Sequence, residues 1–230
     1  MTNDPGILAL WNDCAEEGMA DYERWYMAQH LPERVGVTGF RFGRRYVRVE
    51  GDRRYFTFYE LDRPEVLWSD EYLERLGNPT DWTQQVMPNF HNTIRTACRL
   101  AASDGHAMGG HAVTIRFMVG PPASQEIDAG FKEYLLPRLL DAKGVCHAHL
   151  WVATDDQTPL KTAETDMRGQ DEMLSWAVIA ETVHAEDALQ LSKNENFIGE
   201  VSHLGSGGMP EVGVYQLIAV LSDEMMQSGA

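Results

Sequence analysis

Trp25-Tyr26-Met27-Ala28-Gln29-His30-Leu31-Pro32-Glu33-Arg34, continued by the run from Gly39-Phe40 to Arg44-Arg45-Tyr46, decides how the rest of the chain is read. Tyr22, Tyr26 and His30 recur every four residues, so a helix sets all three on one face. Pro32 disfavours helical geometry at Leu31, which predicts a helix ending near His30. An imidazole at that end lies beside the negative pole of the helix dipole, which favours its protonated form. The following strand brings two arginines back past the same helix. A tyrosine, a titratable imidazole and guanidinium groups are thereby expected to converge on one cleft.

Working outward, the apolar run Gly6 to Asn12 reads as a strand before this helix. Phe40 to Val49 and Arg54 to Leu61 read as a hairpin around Gly51-Asp52. A helical region opens at Pro64 and runs from Glu65 to Val86, broken at Asn78-Pro79, and Asn92 to Leu100 reads as a fourth strand. The order βαββαβ is the ferredoxin-like unit. Ala101 to Gly110 reads as a linker, after which the pattern returns. Leu31-Pro32 and Gly39-Phe40 align without a gap on Leu136-Pro137 and Gly144-Val145, with Leu135 standing where the first copy has His30. A period this long indicates a duplicated domain. The expected fold is therefore α+β: two tandem ferredoxin-like units, 1–104 with the main site and 105–230, forming an α/β barrel. Two stretches fit neither unit. The polar Ala153 to Glu172 is long enough to read as a lid or a mobile insertion. The glycine-rich Ser202 to Pro210 lacks the lysine of a phosphate loop.

The net charge of −16 repels nucleic acid and anionic membranes, which excludes both as primary partners. It also means that an anionic substrate needs a local arginine cluster. Cys14, Cys98 and Cys146 are odd in number and widely spaced, which argues for a reducing compartment. The opening MTNDPGILALWND has no basic region before its apolar run and does not read as a signal peptide; no apolar run is long enough to span a bilayer. The expected location is cytoplasmic.

Tyr26, His30, Pro32, Gly39, Phe40 and Arg45 carry a resemblance to the EthD-like branch of the dimeric α/β-barrel superfamily, with its Tyr-x-x-x-His-x-Pro helix end, Gly-Phe and arginine-rich strand. The resemblance is clearest over residues 5–100. It implies ferredoxin-like sheets that pair into a barrel, within one chain or a homodimer. Relatives include cofactor-free monooxygenases, muconolactone-type isomerases and haem-binding enzymes. A narrower similarity is to cytoplasmic cis-trans isomerases of ring-cleavage dienoates in lignin-type aromatic catabolism.

The functional expectation is a cofactor-independent isomerase acting on a small anionic, unsaturated hydroxy-acid. His30 is the candidate proton-transfer group, with Tyr26 as oxyanion donor and Glu33 as the carboxylate that tunes it. Arg34, Arg95 and one of Arg44 and Arg45 are candidates to hold the substrate carboxylate; strand alternation sends Arg44 and Arg45 to opposite faces. Tyr22, Trp11 and His91 are candidates to line the cleft. An ester hydrolase, a cofactor-free monooxygenase and a non-enzymatic binding protein stand as alternatives, although no serine has a nucleophile-elbow context. His147 and His149 share a strand face and suit a metal, but no third ligand stands at a recognisable spacing, His106 and His111 being candidates. The expectation is no metal and no cofactor.

Overall fold

The computed structural model describes residues 4–118, 125–155, 162–204 and 209–228. Residues 156–161 of the long polar stretch and 205–208 of the glycine-rich stretch lie outside the described residues. The first half supplies strands β1 (Gly6–Cys14), β2 (Phe40–Glu50), β3 (Tyr55–Leu61) and β4 (Phe90–Gly105). The second supplies β5 (His111–Phe117), β6 (Val145–Ala153), β7 (Trp176–Thr182) and β8 (Glu211–Ser222). Neighbours run β4-β1-β3-β2 in the first half and β8-β5-β7-β6 in the second, so each has the ferredoxin-like order. β2 pairs with β8 and β4 with β6, all antiparallel, and the eight strands close into one barrel.

Closure makes three apolar layers. Inward-facing side chains from both halves, among them Trp11, Tyr46, Phe56, Phe58, Trp151 and Tyr215, fill the barrel. Outward-facing side chains of each half pack mainly under that half's own helices, with Met167 and Met226 of the second half joining the first half's layer. Strands covered on both faces lose the simple in–out alternation, and β7 is buried at every position.

The helices of the first half are α1 (Met19–Trp25), α2 (Leu31–Val35), α3 (Asp70–Gly77) and α4 (Asp81–Val86). The second half has α5 (Gln125–Gly130), α6 (Leu136–Leu140), α7 (Ala163–Arg168), α8 (Ala185–Ser192), α9 (Glu195–Leu204) and α10 (Asp223–Ser228). The long polar stretch and the regions around α9 and α10 were not read as helices from sequence, although α9 carries Phe197, Ile198, Val201 and Leu204 at helical spacing. No helix among the described residues is long and apolar enough to cross a membrane.

Pro32 does not end the first helix. The chain passes from α1 through a π-helical turn, Tyr26–His30, in which the Leu31 N–H donates to the Tyr26 carbonyl five residues back, and continues as α2. A pyrrolidine ring clashes with the carbonyl four residues before it, and a widened turn relieves that clash. The second half repeats the device: Phe131–Leu135 is a π turn before Leu136-Pro137. Gly39 and Gly144 both adopt positive φ, at 93° and 76°, where only glycine turns the chain without strain. A Cβ on Gly39 would also meet Val66 at 2.7 Å.

The expected linker is shorter than read. Its first five residues, Ala101 to Gly105, extend β4, where Ser103 pairs with His149 and Gly105 with His147. Small polar residues look like a linker in sequence, but the edge of β6 gives their backbone a ladder to complete.

Candidate functional site

A cavity lies between the outer face of the first half's sheet and its helices. The π turn aims Tyr26 and His30 into it, and α2 contributes Arg34 one turn later. Tyr59 comes from β3, Tyr72 from α3 and Arg95 from β4. The last side is closed by Glu164 and Arg168 of α7, which belongs to the second half. The stretch after β6 is stitched to β4: the Glu172 N–H donates to the Thr93 carbonyl at 2.8 Å, and the Arg95 N–H donates to the Glu172 carbonyl at 2.9 Å. A capping box between Thr162 and Thr165 starts α7 where it crosses the cavity.

The polar groups form one network. The Tyr26 ring lies 4.9 Å from the His30 ring, and Trp25 covers His30 at 4.3 Å. Tyr26 and Tyr59 share a hydroxyl–hydroxyl hydrogen bond of 3.2 Å. Arg95 donates to the Tyr72 hydroxyl at 2.9 Å. Arg34 pairs with Glu164, and Arg168 stands 3.6 Å from Glu164 and 2.6 Å from Asp171. Three atoms at the cavity are buried without a partner: His30 Nδ1, Arg34 Nη1 and Thr93 Oγ1. Buried polar atoms left unpaired mark a place for water or ligand. The enclosed volume is only about 20 Å³, enough for little more than a water molecule.

His30 is not poised as the sequence suggested. The helix runs past it, so the imidazole does not meet a helix C-terminus, and it is 6 % exposed. Burial, reinforced by the charges of Arg34, Arg168 and Arg45, holds its pKa well below the ordinary 6.5, so the native imidazole is neutral. Between that depressed value and 6.5, the unfolded chain binds a proton at His30 that the native state refuses. Stability from this group is therefore present above 6.5 and is lost progressively as pH falls towards the native pKa. Denaturant midpoints measured across the mildly acidic range should fall in the wild type and fall less steeply in His30→Gln. An identical slope in both proteins would mean that His30 titrates normally.

Arg34 keeps its charge despite complete burial, because Glu164 and the Tyr72 and Tyr59 hydroxyls outweigh the desolvation. The Tyr59 hydroxyl is pushed well above its usual value by burial and by Tyr26, so it acts as a hydrogen-bond donor rather than an acid.

Of the residues singled out from sequence, Tyr26, His30, Arg34 and Arg95 line the cavity. Glu33, Arg44, Arg45, Tyr22, Trp11 and His91 do not. Glu33 is half-buried beside Arg34 and Arg75, with its carboxyl raised by burial, and it makes no bond to His30. Arg44 and Arg45 do face opposite ways, and each already has a carboxylate partner. Arg45 pairs with Glu23, caged by the rings of Tyr22, Tyr26 and Tyr55 at 5.1, 4.3 and 4.6 Å. Arg44 points into the barrel and donates to Glu181 at 2.7 Å. Tyr22 is fully buried and bonded to Asn12. Trp11 stacks on Phe56 inside the barrel. His91 is exposed at the start of β4, opposite Asp13 of β1 and with its Nδ1 within 3.3 Å of the Asn89 carbonyl. Tyr59, Tyr72, Glu164 and Arg168 were missed. The signal for the last two was the long polar stretch itself, where Glu164 and Arg168 stand four apart.

His147 and His149 acquire a third neighbour that the sequence did not suggest. His147, His149 and Glu181 bring one potential ligand atom each within 4.8 Å of one another. His106 and His111 are not members of that group.

No known family profile and no curated protein matches the chain. Solved structures do. An anthrone oxidase-like protein superposes with a TM-score of 0.64 at 12 % identity, over 96 % of this chain and 94 % of its own. A candidate monooxygenase from Lactobacillus acidophilus gives 0.58 at 9 % identity, over 95 % and 96 %. A candidate chlorite dismutase gives 0.52 at 9 % identity, over 95 % and 96 %. At these identities the likeness establishes the architecture alone: a closed α/β barrel built from two ferredoxin-like halves in one chain.

Proposed function

We propose that this chain is an enzyme that removes a proton from a small, enolisable carboxylate and stabilises the resulting enolate, and that the overall reaction is isomerisation of an unsaturated ring-cleavage acid. The observation that carries the reading is a neutral, buried imidazole facing a cluster of arginines and paired tyrosine hydroxyls in one cavity. Arg34, with Arg168 and Arg95 beside it, holds the substrate carboxylate in place of Glu164. That anion offsets the positive field that depresses His30, so binding itself raises the basicity of the imidazole. His30 then takes the enol proton, and the Tyr26–Tyr59 pair donates to the developing oxyanion. Ketonisation leaves a single bond free to rotate, and His30 returns the proton. With room for little more than a water, the cavity must enlarge for a substrate, and α7 is the wall that carries both Glu164 and Arg168.

A cofactor-free monooxygenase is the second reading, favoured by the anthrone oxidase-like and monooxygenase names of the structural neighbours. It shares the first step, with the enolate then giving its electrons to dioxygen. Incubating the protein with ring-cleavage dienoates, in air and without oxygen, while following ultraviolet absorbance and product mass separates the two. An unchanged mass without need of oxygen is the expected result. An oxygen-dependent gain of an oxygen atom replaces it with the second reading, and no turnover of any such acid by folded protein sinks both.

A further inference from the structure

Inside the barrel, away from the His30 cavity, Ser103, His147, His149 and Glu181 form a closed hydrogen-bonded set. Leu100 faces the barrel interior, Ala101 and Ala102 both pack in the second half's outer layer, and Ser103 faces in again. The register shift between Leu100 and Ala102 produces this, since a bulge re-aims the side chains that follow it. Ser103 thus lands opposite His149, exposed at the barrel mouth, while His149 is 6 % exposed and Glu181 fully buried.

The proton positions follow from the partners. Glu181 accepts from Arg44 at 2.7 Å, from the Gly109 N–H at 2.8 Å and meets His149 Nε2 at 2.9 Å. Burial alone would raise its pKa, but the His149 bond and the Arg44 charge outweigh this and hold it low, so it is a carboxylate and only accepts. His149 therefore carries a proton on Nε2 and, in its neutral form, presents a bare Nδ1, 3.0 Å from Ser103 Oγ. The serine has to donate there. His147 Nε2, 2.9 Å from the same oxygen, then has to donate to the serine. His147 is neutral at physiological pH: burial, then the neighbouring His149, lower its pKa to about 4. With His149 neutral, this arrangement satisfies these atoms and contains two parts of an activated hydroxyl: a base on the serine proton and a carboxylate orienting the base.

We infer that Ser103 is a nucleophile toward small activated esters, with His149 as its general base and Glu181 as the residue that positions His149. In the step, Ser103 Oγ bonds to the ester carbonyl carbon and its proton passes to His149 Nδ1. The carbon–oxygen bond to the alcohol breaks, and the departing oxygen takes that proton. Water, deprotonated by the same nitrogen, releases the acid and restores the hydroxyl. The same cluster read as a cation site is disfavoured by Arg44, whose guanidinium already neutralises the Glu181 oxygen that a metal would need.

The test is stoichiometric labelling with diisopropyl fluorophosphate, read by intact mass and peptide mapping. One phosphoryl group per chain, on Ser103, is expected. It should be absent in Ser103→Ala, whose exposed position makes the substitution benign for folding. Labelling should be roughly 10²-fold slower in His149→Gln and unchanged in His30→Gln, so that this centre and the proposed isomerase site stand or fall separately. Folded wild-type protein that stays unlabelled at saturating reagent overturns the inference. So does a label on another residue, a rate indifferent to His149→Gln, or stoichiometric zinc taken up by wild type and lost with His149→Gln.

Discussion

His30→Ala should lower kcat roughly 10²–10⁴-fold on a turned-over dienoate, the usual scale for loss of a general acid–base group. His30→Gln should be almost as damaging, because an amide keeps a hydrogen-bonding tip but takes no proton near neutrality. The two variants separate on folding. The alanine removes the ring that Trp25 and Tyr26 pack against, so some stability is lost with it. The glutamine spares more of that packing and places no titratable group among Arg34, Arg168 and Arg45. The pH profile gives a further signature. The acid limb of kcat/KM should lie below the ordinary imidazole range, since the free enzyme's His30 is depressed. The limb for kcat should lie higher, because a bound carboxylate screens the arginines. Near-normal turnover in a well-folded His30→Gln, with both limbs together, would remove His30 from the chemistry.

Arg34→Ala should raise KM for a carboxylate substrate by roughly 10–100-fold, the scale of one lost charge-assisted hydrogen bond. It should also destabilise the protein by about 3–5 kcal/mol, because Glu164 is left buried with only the longer Arg168 contact. Glu164→Gln is the informative partner. If Glu164 holds the place of a substrate carboxylate, the amide competes less well for Arg34, and KM should fall even as stability falls. A purely structural pair predicts lower stability with KM unchanged. Measuring KM and the denaturant midpoint for both variants distinguishes these outcomes, and a KM raised equally in both would make Glu164 a substrate contact in its own right.

The comparison between chain and fold is clearest around three stretches. In Tyr22–Arg34 the spacing correctly put Tyr22, Tyr26 and His30 on one face, and the rings do touch. Where the helix stopped was misread. Pro32 carries a local preference against helix, but a π turn accommodates the ring at the expense of a widened coil. At Arg44-Arg45, alternation correctly sent the two side chains to opposite faces. Which carboxylate each would find, Glu181 across the barrel or Glu23 on the helix, depends on strands and helices that meet only when the barrel closes. At Ala101–Gly105, small polar residues read as a linker became the end of β4, and one bulge turned Ser103 inward.

The chain by itself determined the architecture: periods of two and of about four, the Leu-Pro and glycine corners, and their recurrence one unit later specify ferredoxin-like order twice over, because these are local steric and burial patterns. Only the tertiary structure decided the chemistry of the two polar centres. The charge state of His30 is set by desolvation and by Arg168, which is far along the chain on α7. The roles proposed for Ser103 and His149 depend on Glu181, which lies on a different strand. Electrostatic energies depend on distance in space and on exclusion of water, and neither quantity is written in the order of residues.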